Sequence, residues 1–188
     1  MSSPTVFADA VVIERTFAAP VDLIWQMWTE AEQFQKWYGP KGFSVPVAEM
    51  DLQVGDKRLI CMASPDGSMK MWSTGEYVEI ASTTHLVYTE SMADEEGNVV
   101  SPSAMGMPEG YPETTEITVL LEDMGGRTKM VITHAGIPAD SPGAGGWNMA
   151  FDLTSTPVSR HSKVAAISKG TKTARLQALL LRSYNHNM

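Results

Sequence analysis

From Phe43 onward the apolar residues of this chain recur at every second position through six successive stretches, a period that puts alternate side chains on opposite faces of a strand. The stretches lie near Val45 to Leu52, Arg58 to Ala63, Lys70 to Ile80, His85 to Met92, Thr115 to Glu122 and Lys129 to Ala135. Gly55-Asp56, Pro65-Asp66-Gly67 and Gly125-Gly126 supply turn chemistry between several of them, so the pattern reads as an antiparallel meander. Ahead of it, the β-branched run from Val11 to Phe17 predicts a first strand ended by Ala19-Pro20. A helix follows, with Ile24, Met27, Trp28, Ala31 and Phe34 at helical spacing, Asp22 in the first turn and Gly39-Pro40 as its stop. Ser141-Pro142 predicts a second helix that carries Trp147, Ala150 and Phe151 on one face. Strand, helix, a run of strands and a final helix define an α+β fold in which the sheet curls over a helix.

With 188 residues, 43% apolar and 19% charged, the chain has enough core for one domain and too little length for two ordinary ones. The formal net charge of -8 disfavours nucleic acid, whose binding draws on a basic surface. The charge is uneven: residues 1–152 hold all 22 acidic side chains against 8 Lys and Arg, a net of -14, whereas residues 153–188 carry +6. That shift divides the chain into a domain over 1–152 and a basic C-terminal extension over 153–188. A lone Cys61, and an N-terminus without a basic segment and long apolar run, lead us to expect a reducing cytoplasmic setting. No apolar stretch approaches the roughly 20 residues that span a bilayer, so membrane insertion is not expected.

Ile13-Glu14-Arg15-Thr16-Phe17-Ala18-Ala19-Pro20, Trp25 with Trp28, Trp37-Tyr38-Gly39-Pro40, Gly55-Asp56, the run Gly75 to Ile80 and the run Gly146 to Asp152 stand in one order along residues 8–152. In that order they resemble the START-like or SRPBCC superfamily, and within it the group named for the activator of the ninety-kilodalton heat-shock protein's ATPase. The resemblance implies a helix-grip fold, like that of the birch-pollen allergen, in which a curved antiparallel sheet wraps around a C-terminal helix and encloses a hydrophobic pocket. It implies little about chemistry, because one fold hosts many functions. The chain departs from the family after Asp152, where Pro157 and its Ser and Thr neighbours interrupt the expected long helix. Leu176, Leu179 and Leu180 could form the face of a replacement helix over 171–182, which would close the pocket or join two copies in a homodimer.

Thirteen methionines are many for this length, and Met62, Met69, Met71, Met92, Met105, Met107 and Met130 fall on the expected strands or on the long loop from Asp94 to Pro112. Flexible thioethers suit an adaptable pocket and an ordinary core equally well. Trp72 and Tyr88 lie on strands and Trp37 ends the helix near a rim; core packing is the commoner fate of each. The ligand-binding set expected from this reading is Trp37, Met62, Met71, Trp72, Tyr88, Met105, Met130, Trp147 and Phe151.

Arg58, Glu76, Glu90, Thr118 and His134 are the polar side chains that could turn inward from a strand, although a charge on a strand more often faces water. They define no catalytic pair. His85 and His134 lack a further ligand at zinc spacing, Cys61 has no assignable base beside it, and Gly143-Ala144-Gly145-Gly146 lacks the Lys-Ser/Thr ending of a phosphate loop. No metal or other cofactor is therefore expected. The first expectation is a binding module for an apolar or amphipathic small molecule, without catalysis. Two alternatives stand beside it: a cyclase- or hydrolase-type enzyme that uses polar groups in the same cavity, and a stress-related co-chaperone suggested by the family's name.

Overall fold

The structure is a computed structural model and describes residues 9–107, 109–137 and 147. Seven antiparallel strands form one sheet: β1 (Ala10–Phe17), β2 (Ser44–Met50), β3 (Lys57–Ala63), β4 (Lys70–Ala81), β5 (His85–Ala93), β6 (Thr114–Asp123) and β7 (Thr128–Ala135). Their spatial order is β1-β7-β6-β5-β4-β3-β2, so β2 to β7 form an up-and-down meander and β1 closes the far edge. Each expected strand is present, with ends within two residues of those read from the period of two. The second helix foreseen at Ser141, the extension after Asp152 and the helix foreseen over 171–182 lie outside the described residues, apart from the buried Trp147.

The single helix foreseen after Ala19-Pro20 and stopped by Gly39-Pro40 is two: α1 (Val21–Thr29) and α2 (Ala31–Trp37), separated at Glu30, whose backbone is extended. Periodicity does not foresee this break, because the i, i+3, i+4 pattern runs through it. At the junction the Thr29 hydroxyl bonds back to the Trp25 carbonyl at 2.9 Å, a local competitor of the helical ladder. The break lets both short helices press aromatic faces onto the sheet. Trp28 Nε1 donates to Met130 Sδ of β7 at 3.2 Å, and Trp37 Nε1 donates to the Met27 carbonyl at 2.7 Å.

The register identifies the face that the helices cover. Ile13, Ile132 and Val119 lie opposite one another across β1, β7 and β6, as do Leu86 and Val119 across β5 and β6, and all are buried. The same parity carries His134, Ile117, Tyr88 and Glu90, and in β3 it carries Arg58, Ile60 and Met62. A register shift in β4 between Tyr77 and Glu79 opposes Tyr77 to Tyr88, and both are fully buried. Thr128 fixes the start of β7 to the turn before α1 by a buried bond to the Ala19 carbonyl at 2.7 Å.

Candidate functional site

The inner face brings together a group of buried aromatic rings and, among them, one buried cation. Phe34 stacks on Tyr38 with ring centroids 4.3 Å apart, and Trp37 meets Phe34, Trp28 and Tyr38 edge-on at 5.6, 4.8 and 5.6 Å. From the sheet, Arg58 projects into this group and is only 4% exposed. Its guanidinium carbon sits 3.6 Å from the centre of the Tyr88 ring, 5.4 Å from Tyr77 and 5.5 Å from Phe34. Contact with ring faces compensates part of the cost of burying the charge. Burial works against the Arg58 cation, but the phenol oxygens of Tyr88, Tyr77 and Tyr38 outweigh it and hold the group above its ordinary value. The tyrosines are displaced upward too, in each case first by burial, with the nearby Glu90 adding to the effect at Tyr38 and Tyr88. Cation and neutral phenols are thus the stable forms.

Beside this group lies a directed hydrogen-bond relay. The Thr115 hydroxyl donates to the Glu90 carbonyl at 3.0 Å, so its oxygen accepts from His134 Nε2 at 2.8 Å, while His134 Nδ1 accepts from Trp147 Nε1 at 2.8 Å. These bonds select the neutral ring with its proton on Nε2. Both ring nitrogens are engaged. Burial holds His134 below its usual value, opposed in part by Glu90. The stability linked to this shift is fully present above about pH 6.5 and is lost as the pH falls through the lowered folded value. On acidification from pH 7 to 5 the urea midpoint should therefore fall more in the wild type than in His134→Gln. Parallel midpoints for the two proteins would contradict the relay.

Glu90 borders both groups. Its carboxylate accepts from the Tyr38 hydroxyl at a long 3.4 Å, and it raises Tyr111, which the long loop packs against the core, after burial has done so. The loop foreseen between Asp94 and Pro112 thus returns to the inner face through Tyr111, after a short 3-10 turn at Pro102–Met105.

Of the residues expected to hold a ligand, Trp37, Tyr88, Met130 and Trp147 are buried together on this face, and the half-buried Met62 packs beside them. Met71 pairs with Met62 and shares its parity near the start of β4. Trp72 does not join them: it pairs with Cys61 and Ala93, which puts it on the opposite face. Met105 is 45% exposed on the 3-10 turn, and Phe151 lies outside the described residues. Among the polar candidates, Arg58 and His134 are buried inward and Glu90 is half-buried beside them, whereas Glu76 is exposed and Thr118 shares the outer parity. Sequence reasoning missed Phe34, Tyr38 and Tyr77 as members of this group. Tyr38 had a signal, since it belongs to the quoted Trp37-Tyr38-Gly39-Pro40 run; Tyr77 depends on a register shift that periodicity does not report.

The family of activator of Hsp90 ATPase homolog 1-like proteins matches residues 18–154 of this sequence. The chain belongs to that family. No curated protein is significantly similar to it. Among solved structures, it resembles the solution structure of a protein from Arthrobacter aurescens, 26% identical, with a TM-score of 0.64 over 77% of this chain and 83% of that one. It is also similar to a protein from Chromobacterium violaceum, 21% identical, TM-score 0.62, covering 76% of this chain and 92% of that one. An AHSA1 protein from Silicibacter pomeroyi, 15% identical, gives a TM-score of 0.60 with the same two coverages. These similarities match the helix-grip fold of the activator of Hsp90 ATPase homolog 1-like family, and the seven-stranded antiparallel sheet is its framework. Among the described residues no helix is long and apolar enough to cross a membrane.

Proposed function

We propose that the protein binds an apolar or amphipathic small molecule between the inner face of the sheet and its helices. One observation carries this reading: the inner face holds buried polar atoms that meet no hydrogen-bond partner of good geometry among the described residues, namely Arg58 Nε and the Tyr77 and Tyr88 hydroxyls, inside an otherwise aromatic and aliphatic lining. A core evolved only for packing rarely leaves three such atoms together, because each unsatisfied group costs about 1–3 kcal/mol. A mainly apolar surface with a few convergent polar groups is the usual make-up of a small-molecule site. Trp37, Met62, Tyr88, Met130 and Trp147 supply the proposed apolar wall.

The catalytic alternative has less support. His134, the natural base, is engaged at both nitrogens, and Glu76 faces away. The co-chaperone alternative rests on the family's name alone. A cytoplasmic setting, a homodimer and a role for the extension after Asp152 belong to the same proposal and rest on the sequence.

Native mass spectrometry of the protein purified from its own source, compared with the denatured sample, is expected to show a stoichiometric small molecule. Absence of an adduct, together with no saturable binding of the fluorescent apolar probe N-phenyl-1-naphthylamine, would sink the proposal.

A further inference from the structure

Arg58, Tyr77 and Tyr88 form a buried group with no anionic acceptor among the described residues. Among the described residues Arg58 Nε is buried with no hydrogen-bond partner, and no carboxylate lies within ion-pair distance of the guanidinium. Its contact with Tyr88 is through the face of that ring, which engages the charge without supplying an anionic acceptor. Both phenol oxygens interact with the cation, which opposes the upward push of burial on each, and neither has another partner among the described residues. Beside a cation each hydroxyl turns its lone pairs inward and its proton away. The group therefore presents donors only.

We propose that the ligand held on the inner face carries a single carboxylate, received by the Arg58 guanidinium and the Tyr77 and Tyr88 hydroxyls. The proposal rests on the binding reading above and adds the chemistry of one end of the ligand. A buried, unpaired charge is among the costliest features a fold can retain, and a planar carboxylate matches the guanidinium fork with two parallel bonds. Glu90 does not fill this role, because its carboxylate is directed to Tyr38 and forms no ion pair with Arg58. Its negative charge at the border favours one anionic charge in the ligand over two. The acidic balance of residues 1–152 works the same way, since it offers no general attraction for anions and leaves recognition to this one buried cation.

The test is a competition at pH 7.5 in which N-phenyl-1-naphthylamine, a neutral reporter, is displaced by 4-phenylbutyrate or by its uncharged counterpart 4-phenylbutan-1-ol. The acid is expected to displace the reporter from the wild type at a concentration at least roughly tenfold below that of the alcohol. The ratio of acid to alcohol is read within each protein, so it does not depend on the reporter's own affinity. Arg58→Met should bring it to about one. Tyr77→Phe with Tyr88→Phe, which removes only two oxygen atoms, should reduce it about threefold and keeps the test valid if the Arg58 variant does not fold. Equal displacement by acid and alcohol in the wild type, as expected if water alone satisfies these donors, would overturn the carboxylate and leave the binding reading standing. So would a preference that both variants preserve. Failure of the reporter to bind at all would overturn the binding reading, and this inference with it.

Discussion

Replacing Gly75 by alanine is expected to destabilise the protein by about 3 kcal/mol and to lower its melting temperature by roughly 6–12 °C. Gly75 lies opposite Arg58 in the β3–β4 ladder and just before the register shift in β4. A Cβ there would overlap the carbonyl oxygen of Thr89 in β5 and lie 2.6 Å from its carbonyl carbon. The obstacle is backbone, which cannot rotate out of the way as a side-chain end would. At the same place Thr89 Oγ1 accepts the Glu76 N–H at 3.0 Å, which satisfies a donor that the shifted ladder leaves over. Alanine must separate β4 from β5 where Tyr77 faces Tyr88, so the cost falls on the sheet and the site together. Gly55→Ala provides the comparison. Gly55 has a φ of +88° and open space around it, so alanine there meets only the backbone penalty of about 1 kcal/mol. If Gly75→Ala melts no lower than Gly55→Ala in calorimetry, β4 and β5 do not approach as closely as described.

Phe34→Ala should cost about 4 kcal/mol, the middle of the range for an aromatic ring removed from a closed environment. Phe34 is 0% exposed, stacks on Tyr38, meets Trp28 and Trp37 edge-on, and stands 5.5 Å from the Arg58 guanidinium carbon. Its loss removes the hydrophobic contribution of the ring, several aromatic contacts and the surface that holds Tyr38 toward Glu90. Leucine, which refills most of the volume, is expected to recover more than half of the stability but not the near-ultraviolet circular dichroism of the aromatic cluster. Urea unfolding checks the first expectation and the dichroism spectrum the second. A loss under about 1 kcal/mol for Phe34→Ala would mean that α2 does not pack on the sheet as described.

These two positions also indicate how far the sequence could be read. Alternation located the strands of the meander most clearly in β6 and β7, where the outer positions are polar or at least partly exposed and the inner ones include Ile117, Val119, Leu121, Met130 and Ile132. It could not assign the inner face of β3, where Arg58-Leu59-Ile60-Cys61-Met62 is apolar at nearly every position and Cys61 is buried on the outer side. Once that parity is open, Arg58 reads as solvent-facing by composition alone, and Trp72 reads as a better lining residue than Tyr77. The register shift in β4 then decides between them by a backbone event that side-chain periodicity does not record. His134 was legible as a polar residue on a strand, but not as half of a relay, because Thr115 and Trp147 reach it only through the pairing of β6 with β7 and from beyond the sheet.

The strand order bears on how the chain assembles during synthesis. Strands β2 to β7 each pair with the next one made, so five hairpins can form as their segments emerge, all but the β5–β6 pair closing a short loop. The first strand made must wait for the last, since Ile13 pairs with Ile132. Until β7 is in place, β1 has no neighbour, and α1 and α2 have only part of the surface they finally cover. Premature termination anywhere before Thr128 would thus release a chain with its first strand unpaired and its aromatic helices only partly covered, a form suited to recognition by chaperones and prone to association.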